Sequence, residues 1–206
     1  MGVVMRRLEN KVALITGGGS GIGRAIALAF AREDADVCIA DMNLAKAQQT
    51  AREVEQIGGK ILAIQIDVAN ISDLDKMVDA VVTRFGKIDI LVNAAGILLR
   101  IPALNITETD WDAVMNVNLK GLFFATQRVL PVMLKQGKGK IINIASTLGA
   151  VGSQDRAIYC AAKGGVINLT RALAVELAPK KINVNAIGPG LTATSLTEYI
   201  MNPDNA

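Results

Sequence analysis

From Lys11 to about Ile187 the chain alternates short, mostly uncharged runs rich in Val and Ile with stretches of helical period, and this alternation leaves few folds open. The runs Val12–Thr16, Val37–Ala40, Ile61–Ile66, Ile88–Val92, Ile141–Ala145 and Ile182–Ala186 read as strands. They lack an apolar/polar alternation, so they are expected to be covered on both faces, as parallel strands are. Between them, Ser72-x-x-Asp75 and Thr107-x-x-Asp110 have the form of capping boxes with Asp in the third place. The second helix is expected to start near Asn43 and to stop at Gly58 or Gly59. Right-handed crossovers then build one α/β domain over residues 1–206, a doubly wound parallel sheet with helices on both faces.

Composition narrows the chemistry. The 206 residues include no histidine, which excludes a Ser-His-Asp triad, a Cys-His protease and any zinc site that needs imidazole. Cys38 and Cys160 have no metal-ligand spacing and no disulfide framework, so no metal is expected and a reducing compartment suits the chain. Net charge is +3 with Lys and Arg dispersed, and nucleic acid is not implied. The apolar stretches are too short or interrupted to span a bilayer. Met1 to Arg7 carries no cleavable signal, and Gly2 is followed by Arg6 where a myristoylation signal would have Ser or Thr. The expectation is a cytoplasmic protein that acts on a small molecule.

Two motifs carry the chemistry. Thr16-Gly17-Gly18-Gly19-Ser20-Gly21-Ile22-Gly23 follows a strand and opens a helix whose apolar face runs Ile22, Ile26, Ala29, Phe30. Glycines there let the backbone approach a pyrophosphate, and the helix N-terminus offers free N–H groups and a positive dipole end. Asp41 closes the second strand, where a carboxylate can accept both hydroxyls of an adenosine ribose and repel a 2′-phosphate. No Arg or Lys stands at Ser20 to attract that phosphate, so NAD is expected over NADP.

The second motif, Tyr159-Cys160-Ala161-Ala162-Lys163, places a phenol and an ammonium at i and i+4 on one helix face. A free phenol titrates near ~10, so Tyr159 needs a stabilised phenolate to act as a base. Lys163 and a positive nicotinamide ring would supply that stabilisation, and Tyr159 would take the alcohol proton as hydride leaves the same carbon. Ser146, ending a strand, can hold the substrate oxygen. Cys160, at i+1, is read as a small packed hydrophobe.

These residues, with Asn93-Ala94-Ala95-Gly96, Asn118 and Pro189-Gly190, occur in order at the expected strand ends, and over about residues 8 to 200 the chain resembles the short-chain dehydrogenase/reductase family. The resemblance implies a Rossmann-type sheet and hydride transfer between NAD(H) and a secondary alcohol or ketone. It also implies that Asp67 and Val68 hold the adenine, and that Asn93 to Gly96, with Ala94 among them, brace the cofactor side of the sheet. Ile187 to Thr194, including Pro189, Gly190 and Thr192, would hold the nicotinamide carboxamide. Lys163 would reach the nicotinamide ribose, and Asn118 would position with it a water that relays protons. By the same resemblance Trp111 packs near the start of a long helix. The helices Thr107–Lys135 and Asp155–Pro179 resemble the pair through which family members dimerise, so a homodimer or homotetramer is expected.

The chain departs from the family pattern after Pro189-Gly190. The family continues with a substrate-covering loop, two helices and a seventh strand. Here only Leu191 to Ala206 follow, and the polar Asn202-Pro203-Asp204-Asn205-Ala206 reads as the end of a fragment. Residues Leu148 to Arg156 are expected to border the substrate pocket. Ser153, Gln154 and Arg156 lean the choice toward a polyol, sugar, hydroxy acid or 3-oxoacyl group. The alternative is a scaffold or redox sensor that binds nucleotide without turnover.

Overall fold

β1 (Val12–Thr16), β2 (Asp36–Asp41), β3 (Ile61–Gln65), β4 (Ile90–Asn93), β5 (Gly139–Ile144) and β6 (Ile182–Ile187) form one sheet in the order β3-β2-β1-β4-β5-β6. Every pair is parallel, with Leu14 facing Cys38 on one side and Leu91 on the other. The computed structural model describes residues 6–198; the readings made at Gly2 and at Asn202–Ala206 lie outside them. Among the described residues no helix is long and apolar enough to cross a membrane.

The connecting helices are α1 (Gly21–Arg32), α2 (Leu44–Gln56), α3 (Ile71–Phe85), α4 (Glu108–Met115), α5 (Leu122–Gln136) and α6 (Ala157–Leu177). Along β1, alternate side chains enter opposite cores. Val12 and Leu14 pack with α3, α5 and α6, whereas Ala13 and Ile15 pack with α1 and α2. Burial on both faces explains the unbroken apolar runs.

Several boundaries differ from the sequence reading, each for a local reason. β4 begins at Ile90 because the Ile88 N–H and C=O are both taken by the Gln136 side-chain amide, at 3.0 and 2.9 Å. β5 starts two residues early, at Gly139. Ser72 is not a cap: Asn70 caps α3, its Oδ1 accepting from the Ser72 N–H at 3.0 Å and the Ser72 hydroxyl at 2.9 Å. Thr107 and Asp110 do form a full capping box, and Asn43 caps α2. The buried stripe of α1 is Gly23, Ala27 and Ala31, and Ala29 is exposed. Small residues let this helix lie close to the sheet, and Ile22, Ile26 and Phe30 pack at its sides.

The expected long helix from Thr107 is two helices joined by a π-helical segment, Asn116–Gly121. Such segments recur at functional sites because the wider turn re-aims side chains. Trp111, expected to pack, is 45% exposed on α4.

Candidate active site

In a sheet of this order the connections leave β1 and β4 in opposite directions, which opens a crevice at their C-terminal ends. A cleft of about 460 Å³ lies there. Gly17 to Gly23 follow β1 on one wall, Ala94 to Gly96 follow β4 on the other, and Asp41, Asp67 and Val68 close the far end from β2 and β3. The opposite end holds Asn118, Ser146, Tyr159 and Lys163, and Pro189, Gly190, Thr192 and Thr194 pass over the top. The cleft therefore joins nearly every residue expected from the sequence. Gly19 and Asn93 are exceptions, since neither lines it.

The turn is built for a close backbone approach. Gly17 has φ +67°, and a Cβ on it would stand 2.7 Å from the Ala95 backbone. Gly19 instead faces β2: its N–H donates to Asp41 Oδ2 at 2.9 Å, and Asp41 Oδ1 accepts from the Asn43 N–H at 2.9 Å. Asp41 thus braces the turn and the start of α2 while its carboxylate edges the cleft. Met42 and Asn43, which follow Asp41 at the end of β2, line the same end, and so does Lys46, which sequence could not place because only the packing of α2 against Gly19 brings it there.

Asn93 lies beneath the floor. Its Nδ2 donates to Thr126 Oγ1 at 3.0 Å and Asn143 Oδ1 at 2.9 Å; Asn143 Nδ2 in turn donates to Thr170 Oγ1 at 2.9 Å. This buried ladder ties β4 and β5 to α5 and α6. The one signal for it was an asparagine at the end of β4 and another inside the apolar run of β5.

At the reacting end, burial sets the electrostatics. Lys163 is 4% exposed, and its Nζ donates to the Ile144 carbonyl at 2.7 Å and stands 5.7 Å from the Tyr159 ring centroid. Desolvation brings its pKa down to about 8 from 10.5. Burial pushes the Tyr159 phenol up, and the nearby Ser146 hydroxyl pulls it partly back. The expectation that Lys163 lowers the phenol is not what dominates this arrangement: both groups are driven toward their neutral forms. Asn118 Nδ2 donates to the Ile97 and Val114 carbonyls at 2.9 and 3.0 Å, while its Oδ1 is buried without a hydrogen-bond partner among the described residues. A Cβ on Gly96 would lie 2.8 Å from that Oδ1 and 3.7 Å from Lys163 Nζ. The bare glycine therefore keeps one small polar space between Asn118 and Lys163.

The Lys163 burial has a testable sign. Between about 8 and 10.5 the unfolded chain binds the proton that the folded lysine has lost, so the penalty is full below that window and gone above it. Wild-type stability relative to Lys163→Met is expected to rise by up to about 1.4 kcal/mol per pH unit between about pH 8 and 10. Denaturant unfolding across that range measures it, and a flat difference would show that the ammonium is not desolvated.

Leu148 to Arg156 do not line the cleft, contrary to expectation. The Arg156 guanidinium turns back onto Ser153 Oγ at 2.7 Å and the Gln154 backbone carbonyl at 3.3 Å, which pairs two of the side chains expected to face substrate, Ser153 and Arg156, with each other. Cys160 is partly buried beside Tyr159. Among the described residues no cluster of three or more His, Cys, Asp or Glu could hold a metal ion.

Fold and site together define a dinucleotide-binding oxidoreductase architecture. The sequence profile of short chain dehydrogenase matches residues 11–205. The 3-oxoacyl-[acyl-carrier-protein] reductase of Thermotoga maritima is 44% identical over 194 residues, covering 94% of this chain and 79% of its own. The 2-dehydro-3-deoxy-D-gluconate 5-dehydrogenase of Dickeya dadantii is 43% identical, covering 94% of this chain and 76% of its own. Among solved structures, levodione reductase superposes with a TM-score of 0.92 at 37% identity, over 95% of this chain and 77% of the other. NAD+-bound xylitol dehydrogenase does so with 0.87 at 36%, over 89% and 71%. The chain belongs to the short-chain dehydrogenase/reductase family, oxidoreductases that use NAD(P).

Proposed function

We propose that this protein interconverts a secondary alcohol and a ketone on a small polar substrate with NAD as its preferred cofactor, Tyr159 serving as the acid-base group. The observation that carries the reading is the joining, in one cleft, of the glycine turn and Asp41 at one end with Ser146, Tyr159 and Lys163 at the other. A dinucleotide pyrophosphate suits the turn, because Gly17 and Ser20 to Gly23 line the cleft and the start of α1 has no side-chain cap competing for its N–H groups. When bound, the nicotinamide gives or takes the hydride. The Ser146 hydroxyl holds the substrate oxygen and the Tyr159 phenol exchanges the proton on it. Lys163 and Asn118 flank the space through which that proton is passed outward by water. Ser20, Gly21, Ile22 and Gly23 would hold the pyrophosphate, Asp67 and Val68 the adenine, and Pro189, Gly190, Thr192 and Thr194 the nicotinamide side.

Relatives that bear the names of a 3-oxoacyl reductase, a sugar-acid dehydrogenase and a polyol dehydrogenase support a substrate with a polar group beside the reacting carbon. Formation of NADH over a panel of polyols, sugar acids and 3-hydroxyacyl thioesters tests the activity. Cofactor binding with no turnover on any of them would favour the non-catalytic scaffold instead. Exposed Leu134 on α5 and Val175 on α6 suit the homodimer or homotetramer expected for the family, which sedimentation would test.

Cofactor preference rests on Asp41. Because that carboxylate also braces the glycine turn, Asp41→Ala should weaken both cofactors, and the informative quantity is their ratio. The preference for NAD over NADP is expected to fall roughly tenfold or more, the scale of hydrogen bonds to a charged group. Binding titrations decide it: a wild type that prefers NADP, or an unchanged ratio in the variant, removes this role from Asp41.

A further inference from the structure

We propose that Thr197 is a positioning residue that sets the hydroxyl of Thr194 as a hydrogen-bond acceptor toward the nicotinamide end of the cleft. The inference rests on the reading of the cleft as a nicotinamide dinucleotide site. Both threonines line that cleft, and the turn they belong to sits on the glycine turn: a Cβ on Gly21 would stand 3.2 Å from Thr194 Cγ2.

A threonine hydroxyl has one proton to donate and two lone pairs. Thr197 Oγ1 lies 2.5 Å from the Thr192 carbonyl oxygen, its shortest contact, which claims the proton; the Thr194 carbonyl, at 3.1 Å, shares it at best. One lone pair accepts from the Thr194 N–H at 3.1 Å. The remaining contact, Oγ1 to Oγ1 at 3.2 Å, then has Thr194 as its donor. All of the capacity of Thr197 is spent inside the turn, and Thr194 Oγ1, its own proton directed at Thr197, is left with lone pairs to offer. An acceptor there suits an amide N–H of a carboxamide and opposes a phosphate oxygen. Without the Thr197 hydroxyl the Thr194 proton is free to rotate, and the Thr194 N–H and Thr192 carbonyl lose their partner.

The test compares ligands with and without the nicotinamide. Thr197→Val keeps shape and removes the hydroxyl. It is expected to weaken NAD binding roughly three- to tenfold, leave ADP-ribose binding within about twofold, and raise KM for NAD more than it lowers kcat. Thr197→Ser should restore NAD affinity, and circular dichroism of both variants checks that each is folded. NAD affinity unchanged in a folded Thr197→Val, or equal losses for NAD and ADP-ribose, would overturn the assignment, as would a misfolded Val variant accompanied by a folded Ser variant that binds NAD poorly. A wild type that binds neither NAD nor NADP would overturn the dinucleotide reading and this inference with it, and that result is distinguishable because it appears before any substitution.

Discussion

Tyr159→Phe is expected to lower turnover by roughly 10²–10⁴-fold, the range that a positioned general acid-base contributes, while NAD binding changes little. The phenol oxygen is the one atom removed, and the ring that packs at the cleft end stays. Burial holds the wild-type phenol protonated, so in the oxidation direction the rate should climb with pH as Tyr159 ionises. Lys163, whose own pKa is brought down to about 8, has lost its charge before the phenol begins to ionise. Its charge is therefore gone before the rise, and the alkaline limb should lie at higher pH than that of a free phenol. Phe at 159 should abolish the limb altogether. Steady-state kcat against pH, with NAD affinity measured separately, gives both quantities. Near-normal turnover in the variant would mean that some other group moves the proton.

Much of this was legible because it is local. Apolar runs without alternation name parallel strands covered on both faces, and the glycine turn announces itself by residue type and context. The i, i+4 spacing alone puts Tyr159 and Lys163 on one helix face. Less local features stayed hidden for physical reasons. Strand order is set by crossovers between elements, and no residue encodes it. The end of β4 nearest Ile88 depends on a side-chain amide 48 residues away. The π segment around Asn118 arises inside a stretch with good helical period, where an extra residue per turn leaves no compositional mark. Asp41 was read for what it could offer a ribose, and its bonds to Gly19 and Asn43 appear only when β2 and the turn are side by side. Ser153 and Arg156 carry polar groups that could face substrate, but a loop satisfies its own hydrogen bonds first when its residues can reach one another. Lys163 shows the opposite limit. Its chemistry was readable, but its burial was not, and burial decides which way the pair titrates.

Gly23→Ala should have the largest effect on cofactor binding of any single methyl added to this chain. A Cβ at that position would lie 2.2 Å from the Gly17 carbonyl oxygen, 2.8 Å from the Gly17 carbonyl carbon and 3.1 Å from Gly18 Cα. All three are backbone atoms of the turn, so no side chain can swing aside. Either α1 slides away from β1 or the turn opens, and in both cases the N–H groups at the helix start lose their aim at the pyrophosphate. Gly23 is also in the buried Gly23, Ala27, Ala31 stripe on which α1 approaches the sheet, so a shift there is carried along the helix. Hydrogen bonds from those N–H groups to a charged pyrophosphate are worth about 1.5–3 kcal/mol each, so losing one or two costs roughly 100-fold. The expected result is a loss of NAD affinity of that order in a protein that still unfolds cooperatively. Gly152→Ala, where an added Cβ meets nothing within 4 Å, should bind as the wild type does. Calorimetric titration of both variants beside wild type measures the contrast, and equal affinity in all three would show that the dinucleotide does not depend on the tight meeting of Gly17 and Gly23.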